Sequence, residues 1–136
     1  MAGIAVGAAT AAAVLGGCGV IAWLASGAGP AASPPPPDLL MRAVVERNAD
    51  LGWQQLCPAA QAQLPLALVR DQAAAQRMAE ANRGMALTLE YVGARPVTAG
   101  GELRVYLVTA HLADGAVERR TYTIRTGASG CVESVD

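Results

Sequence analysis

No Asp, Glu, Lys, Arg or His occurs before Asp38, so every formal charge of this 136-residue chain falls within its last three quarters. That asymmetry constrains the fold more than any other feature of the sequence. An uncharged first quarter cannot supply the polar surface of a water-exposed globule. It therefore reads as an apolar leader followed by one small domain. From Ile4 to Ala25 the chain runs IAVGAATAAAVLGGCGVIAWLA. As a helix it would be about 33 Å long at a rise of about 1.5 Å per residue, close to a hydrocarbon core of roughly 30 Å. Trp23 stands near one end, where an interfacial aromatic belongs. The small-residue spacings Gly3-xxx-Gly7 and Ala13-xxx-Gly17 would let a second helix approach closely.

The reading preferred for residues 1–26 is a membrane-spanning or signal-anchor helix. Two others remain open. One is a cleaved signal peptide. The other is a lipoprotein signal, because Val14-Leu15-Gly16-Gly17-Cys18 is similar to a bacterial lipobox and would make Cys18 the lipidated residue. The missing Lys/Arg n-region weighs against both, and the apolar run through Val20–Leu24 weighs against the lipobox. Each alternative places the domain beside or across a cell membrane, on the extracytoplasmic side. Residues 27–37 end in four prolines and read as a semi-rigid polyproline II spacer. Residues 38–136 then form the domain.

The ten basic residues are all arginine and the net charge is −1, which argues against an electrostatic nucleic-acid binder. Cysteines stand at 18, 57 and 131. None lies in a CxxC, and with His111 as the only histidine no metal set assembles. Cys57 and Cys131 are the pair within the domain, and an oxidising compartment favours a disulfide between them.

Helical spacing covers Leu40, Val44 and Leu51, with Asp38 expected as the N-cap. A second segment, Trp53–Leu64, is interrupted by Pro58. A third opens at Pro65 and stops at Gly84, with Ala74, Met78, Ala81 and Met85 expected to face a sheet. After Gly84 the period changes to two. Strands are expected around Leu87–Tyr91, over Glu102–Ala113 and Ala116–Thr126 about Asp114-Gly115, and over Cys131–Val135. The fold class is therefore α+β: after the leader, two to three helices pack on a four-stranded antiparallel curved sheet. A two-residue Asp114-Gly115 loop predicts a core face on which Leu107 opposes Tyr122, Val105 opposes Ile124 and Leu103 opposes Thr126. It also sets His111 opposite Glu118 and gathers Arg104, Arg119 and Arg125 on the reverse face, as an anion or acidic-partner surface.

The segments Leu51-Gly-Trp-Gln-Gln-Leu-Cys-Pro58, Leu112-Ala-Asp-Gly-Ala-Val117 and Gly130-Cys-Val-Glu-Ser-Val135, behind an anchor and a Pro-rich spacer, give the chain a layout that resembles a known group. It is that of the nuclear-transport-factor-two-like (cystatin-like cone) extracytoplasmic domains of anchored lipoproteins and Mce-associated membrane proteins. One departure is that Gly130 and Cys131 stand where the last strand of that group usually carries a Trp. The resemblance implies a curved sheet wrapped on a helix around a cone-shaped pocket.

The functional expectation is a non-catalytic, membrane-tethered extracytoplasmic interaction or assembly module with a protein partner, such as a subunit of a membrane protein complex. An alternative is a carrier of a small apolar ligand or lipid, its pocket lined by Leu89, Tyr91, Leu103, Val105, Leu107, Tyr122 and Ile124. A further alternative is a small acid/base enzyme using His111 and Glu118. No cofactor or metal is expected, and no nucleophile elbow, P-loop, dinucleotide fingerprint or calcium loop is present.

Overall fold

The computed structural model describes residues 32–136. The leader 1–26, Cys18 and the spacer through residue 31 lie outside the described residues. Among the described residues, no helix is long and apolar enough to cross a membrane.

The first helix, α1 (Pro36–Glu46), begins inside the proline tract: extended Pro35 is its N-cap and Pro36 its first residue. Proline suits a first turn because the N–H it lacks would have no intrahelical partner there. Asp38 is therefore not the N-cap. It lies inside the first turn and its carboxylate is spent elsewhere. The helix buries Pro37, Leu40, Met41 and Ala43. It stops at Arg47, a non-glycine residue in the left-handed region (φ 54°), with Asn48 N–H donating to Ala43 C=O at 2.9 Å. The Asn48 side chain then caps α2 (Ala49–Gln54) by accepting from Leu51 N–H at 3.1 Å. The single helix expected across Leu40–Leu51 is thus two helices joined by a tight corner.

Cys57 and Pro58 start α3 (Pro58–Gln63), and Pro65 caps α4 (Leu66–Asn82). Trp53 Nε1 donates to Leu64 C=O at 2.8 Å, tying the α2 and α3 ends together. Gly84, at φ 57°, terminates α4 in a Schellman motif: Met85 N–H donates to Glu80 C=O and Gly84 N–H to Ala81 C=O. Of the face expected to meet the sheet, Ala74, Met78 and Ala81 are open, Met78 at 69%, while Met85, past the helix end, is half-buried. Leu66, Val69 and Ala73 turn inward, and α4 packs chiefly on α2. That stripe also recurs at helical spacing, and its larger side chains bury more apolar area than alanines would.

The strands β1 (Ala86–Pro96), β2 (Glu102–His111), β3 (Val117–Thr126) and β4 (Val132–Val135) form one antiparallel meander in the order β1-β2-β3-β4. The α+β order read from the sequence is present. The hairpin register is not the expected one. Leu112 N–H donates to Ala116 C=O and Gly115 N–H to Leu112 C=O, both at 3.0 Å, so Ala113, Asp114 and Gly115 all belong to the loop. Gly115 has φ 87°, while Asp114 is not in the left-handed region. This is a type I turn closed by a glycine bulge, not a type I′ turn.

One extra loop residue shifts the pairing by one and turns β2 over. Tyr106 opposes Tyr122, Arg104 opposes Ile124, Ala110 opposes Glu118 and His111 opposes Val117. Tyr106, Val108 and Ala110 are therefore buried against the helices, and Leu103, Val105 and Leu107 lie half-buried on the outer face. The core joins Leu40 and Met41 of α1 to Tyr106, Val108, Ile124 and Val132 of the sheet.

The Cys57–Cys131 disulfide expected from the sequence is formed, with Cα atoms 5.0 Å apart. Beside it, Cys57 N–H donates to Val132 C=O at 2.8 Å and Val132 N–H to Gln55 C=O at 2.9 Å. The α2–α3 junction thereby runs as a short parallel partner along the outer edge of β4.

Candidate functional site

Because α4 leans on α2, its C-terminal half stands away from the sheet. A cleft of about 520 Å³ opens between them, within the range of small-molecule sites. Its apolar floor comes from Val44 of α1, Leu87 of β1, Val108 and Ala110 of β2, and Tyr122 of β3. Ala110 matters by its smallness, since a longer side chain there would fill the space. A second cavity of about 210 Å³, walled mainly by apolar residues of α1, α2 and α4, shares Val44, Arg47 and Gln76 with the cleft.

The rim is charged. Arg47 Nε donates to Glu80 at 2.9 Å, linking the α1 corner to α4. Arg83, at the end of α4, donates to Glu118 of β3 at 2.7 Å and bridges the mouth. Arg120 faces the cleft from β3 with its guanidinium 5.6 Å from the Tyr122 ring centroid. No ion pair to Arg120 occurs among the described residues.

A separate polar cluster lies on the same sheet face, nearer the turn that joins β1 to β2. The Asp38 carboxylate accepts from the Tyr106 hydroxyl and from Arg104 Nη1 at 2.8 Å, and Arg104 Nε donates to Glu102. The Arg104 guanidinium also lies 5.4 Å from the Tyr91 ring centroid. Burial raises the Tyr106 pKa well above the usual tyrosine range, and the bond to Asp38 adds to it. Burial opposes the Arg104 charge, but hydrogen bonds to Glu102 and Tyr106 and the fields of Glu102 and Asp38 prevail, raising its pKa. With no side-chain N or O orphaned among the buried described residues, this cluster reads as a fastener between α1 and the sheet.

The sequence-derived site residues are dispersed. Of the seven apolar residues expected around a pocket, Tyr122 lines the main cleft. Leu87 stands where Leu89 was expected, for Leu89 and Tyr91 are exposed, at 37% and 52%. Ile124 is fully buried in the core. Leu103 and Val105 line a shallow depression on the outer face with Gly93 and Ala94, and Leu107 shares that face. The shifted register also separates His111 from Glu118. They are not opposed, His111 is exposed, and Glu118 is bound to Arg83. The three arginines share no face either. Arg104 turns toward α1, while Arg119 and Arg125 occupy the register positions of the outer face.

The residues that sequence reasoning missed are Arg47, Glu80, Arg83, Ala110 and Arg120. A three-residue loop ending in Gly115 would have placed Ala110 and Arg120 on the helix-facing side. The α4 residues carried no such signal, because their role follows from how the helix leans.

Among the described residues, no group of His, Cys, Asp and Glu could hold a metal ion. No known protein-family model matches the chain, and no curated protein matches it in sequence.

Proposed function

We propose that this chain is a non-catalytic binding module, tethered at the extracytoplasmic face of a cell membrane, that carries a small ligand with an apolar body in the cleft between α4 and the sheet. The observation that carries the reading is the cavity itself, an apolar floor beneath a charged rim. Both lining carboxylates are engaged by arginines, and no His, Cys or Ser lines the cleft. Those features favour holding a ligand over transforming one. The disulfide supports an oxidising compartment, and the apolar leader supports the tether. The resemblance to the cone-like extracytoplasmic domains agrees with helices on a four-stranded antiparallel sheet beside a cleft.

Ala110→Leu tests the reading. A cavity-filling change of this kind should raise or preserve the thermal midpoint while displacing a bound apolar fluorophore such as anilinonaphthalene sulfonate. Unchanged fluorophore affinity in a folded Ala110→Leu variant would reject the cleft as the binding site.

A second reading, an assembly module for a protein partner, is favoured by the exposed apolar run Leu89, Tyr91 and Val92 on β1. Recovery of the same partner with wild-type protein and with a Tyr91→Ser/Val92→Ser variant would reject it.

A further inference from the structure

We propose that the cleft's ligand is a single-chain amphiphile with an anionic head, a carboxylate or phosphate, and that Arg120 anchors that head. The proposal rests on the cleft being the binding site. Its lining carries Arg47, Arg83, Arg119 and Arg120 against Glu80 and Glu118, an excess of two positive charges. The whole chain has a net charge of −1, so the sign at the cleft is opposite to that of the chain.

The distribution within the lining narrows the choice of residue. Glu80 neutralises Arg47 and Glu118 neutralises Arg83. Arg119 sits at an outer-face register position, opposite Thr109. Arg120 opposes Val108 on the helix-facing side and has no carboxylate within ion-pair range among the described residues. Stacking near Tyr122 satisfies one face of a guanidinium but leaves its in-plane N–H donors for a bidentate oxyanion.

The apolar body has a place to go. Tyr122, Val108 and Ala110 lead from Arg120 across the floor toward Val44, which also lines the smaller cavity between α1, α2 and α4. A headgroup at Arg120 with an alkyl chain directed past Val44 would pair the unmatched cation with an anion and fill both cavities. A cationic head would meet the local positive excess, and a neutral one would leave Arg120 unmatched.

The test uses the full chain in phosphatidylcholine nanodiscs, with empty nanodiscs as the blank. It is titrated with octanoate, octyl phosphate, octanol and octylammonium while the backbone amide signals of Val108, Ala110 and Tyr122 are followed. Octanoate and octyl phosphate should bind about tenfold tighter than octanol, the scale of one charge-assisted contact. That advantage should shrink at high salt and vanish in Arg120→Gln, where the ratio of octanoate to octanol affinity falls to about one.

Equal binding of octanoate and octanol would overturn the anionic class while leaving the cleft as an apolar site. A preference for octylammonium would overturn it as well. An anion preference that survives Arg120→Gln would remove Arg120 as the anchor. If none of the four ligands shifts the Val108 and Ala110 signals, the binding-module reading fails with it.

Discussion

Asp38 is the residue on which the two layers meet. Its carboxylate receives a phenol and a guanidinium from β2 while its backbone opens α1. Asp38→Ala would leave the Arg104 charge and the Tyr106 hydroxyl half-buried with fewer partners, at a cost of about 2 kcal/mol. In a domain of this size that loss lowers the thermal midpoint by about 10 °C, which calorimetry on wild type and variant would read. The raised Tyr106 pKa gives a pH prediction. The folded state holds the phenolic proton more tightly than the unfolded state. Its stabilising contribution is therefore complete below the unfolded tyrosine value of about 10 and is lost as pH rises beyond it. Alkaline denaturation should begin at lower pH in wild type than in Tyr106→Phe, measured relative to each protein's neutral-pH stability. At this scale the sequence was partly legible. Gly84 advertised its helix stop, because a left-handed residue is most often glycine. The stop at Arg47 carried no such mark, since arginine rarely takes that conformation, and the role of Asp38 depends on partners more than 60 residues away.

Among the elements, the β2–β3 hairpin separates what local chemistry dictates from what it leaves open. Asp-Gly fits both a two-residue loop and a three-residue loop with a glycine bulge. The strands could not arbitrate, because both faces of β2 are apolar: Leu103, Val105 and Leu107 on one, Tyr106, Val108 and Ala110 on the other. A one-residue slip therefore leaves the hydrophobic pattern almost intact while exchanging every contact. The resulting loop geometry makes unequal demands on its residues. Gly115→Ala must hold a left-handed φ and should cost about 1–2 kcal/mol. Asp114→Asn keeps a side-chain oxygen for the Ala116 N–H and should change stability by less than about 0.5 kcal/mol. Urea titrations of the two variants would check both values. Gly101 is a stricter site: at φ 82° an added Cβ would collide with the Thr126 carbonyl oxygen. Gly101→Ala should be the most damaging of the three. The apolar face of α4 was misjudged for a related reason. Two stripes of helical period coexist on it, and which one turns inward is decided by packing on α2.

For the whole molecule, the disulfide was legible because only one pair of cysteines lies in the charged part of the chain. Its bond joins residues 74 apart in sequence. Closing a loop of that length contributes about 4 kcal/mol in the chain-entropy account, a large share of the stability of a small domain. Reduction, or the double variant Cys57→Ser/Cys131→Ser, should lower the thermal midpoint by roughly 15–20 °C. An unchanged midpoint would mean the covalent link is dispensable. The cleft was not legible at this scale. Its floor depends on the hairpin register and its roof on the lean of α4, and neither is encoded by residues adjacent in sequence.

The two borders of the sheet are unlike. Along β4 the Gln55–Cys57 segment takes the outer N–H and C=O of Val132, whereas β1, eleven residues long, has a neighbouring strand on one side only among the described residues. Of the two borders, β1 therefore offers the longer run of free backbone groups to a strand from a second molecule. Two copies that met there in the antiparallel sense would be related by a two-fold axis, each extending the other's sheet.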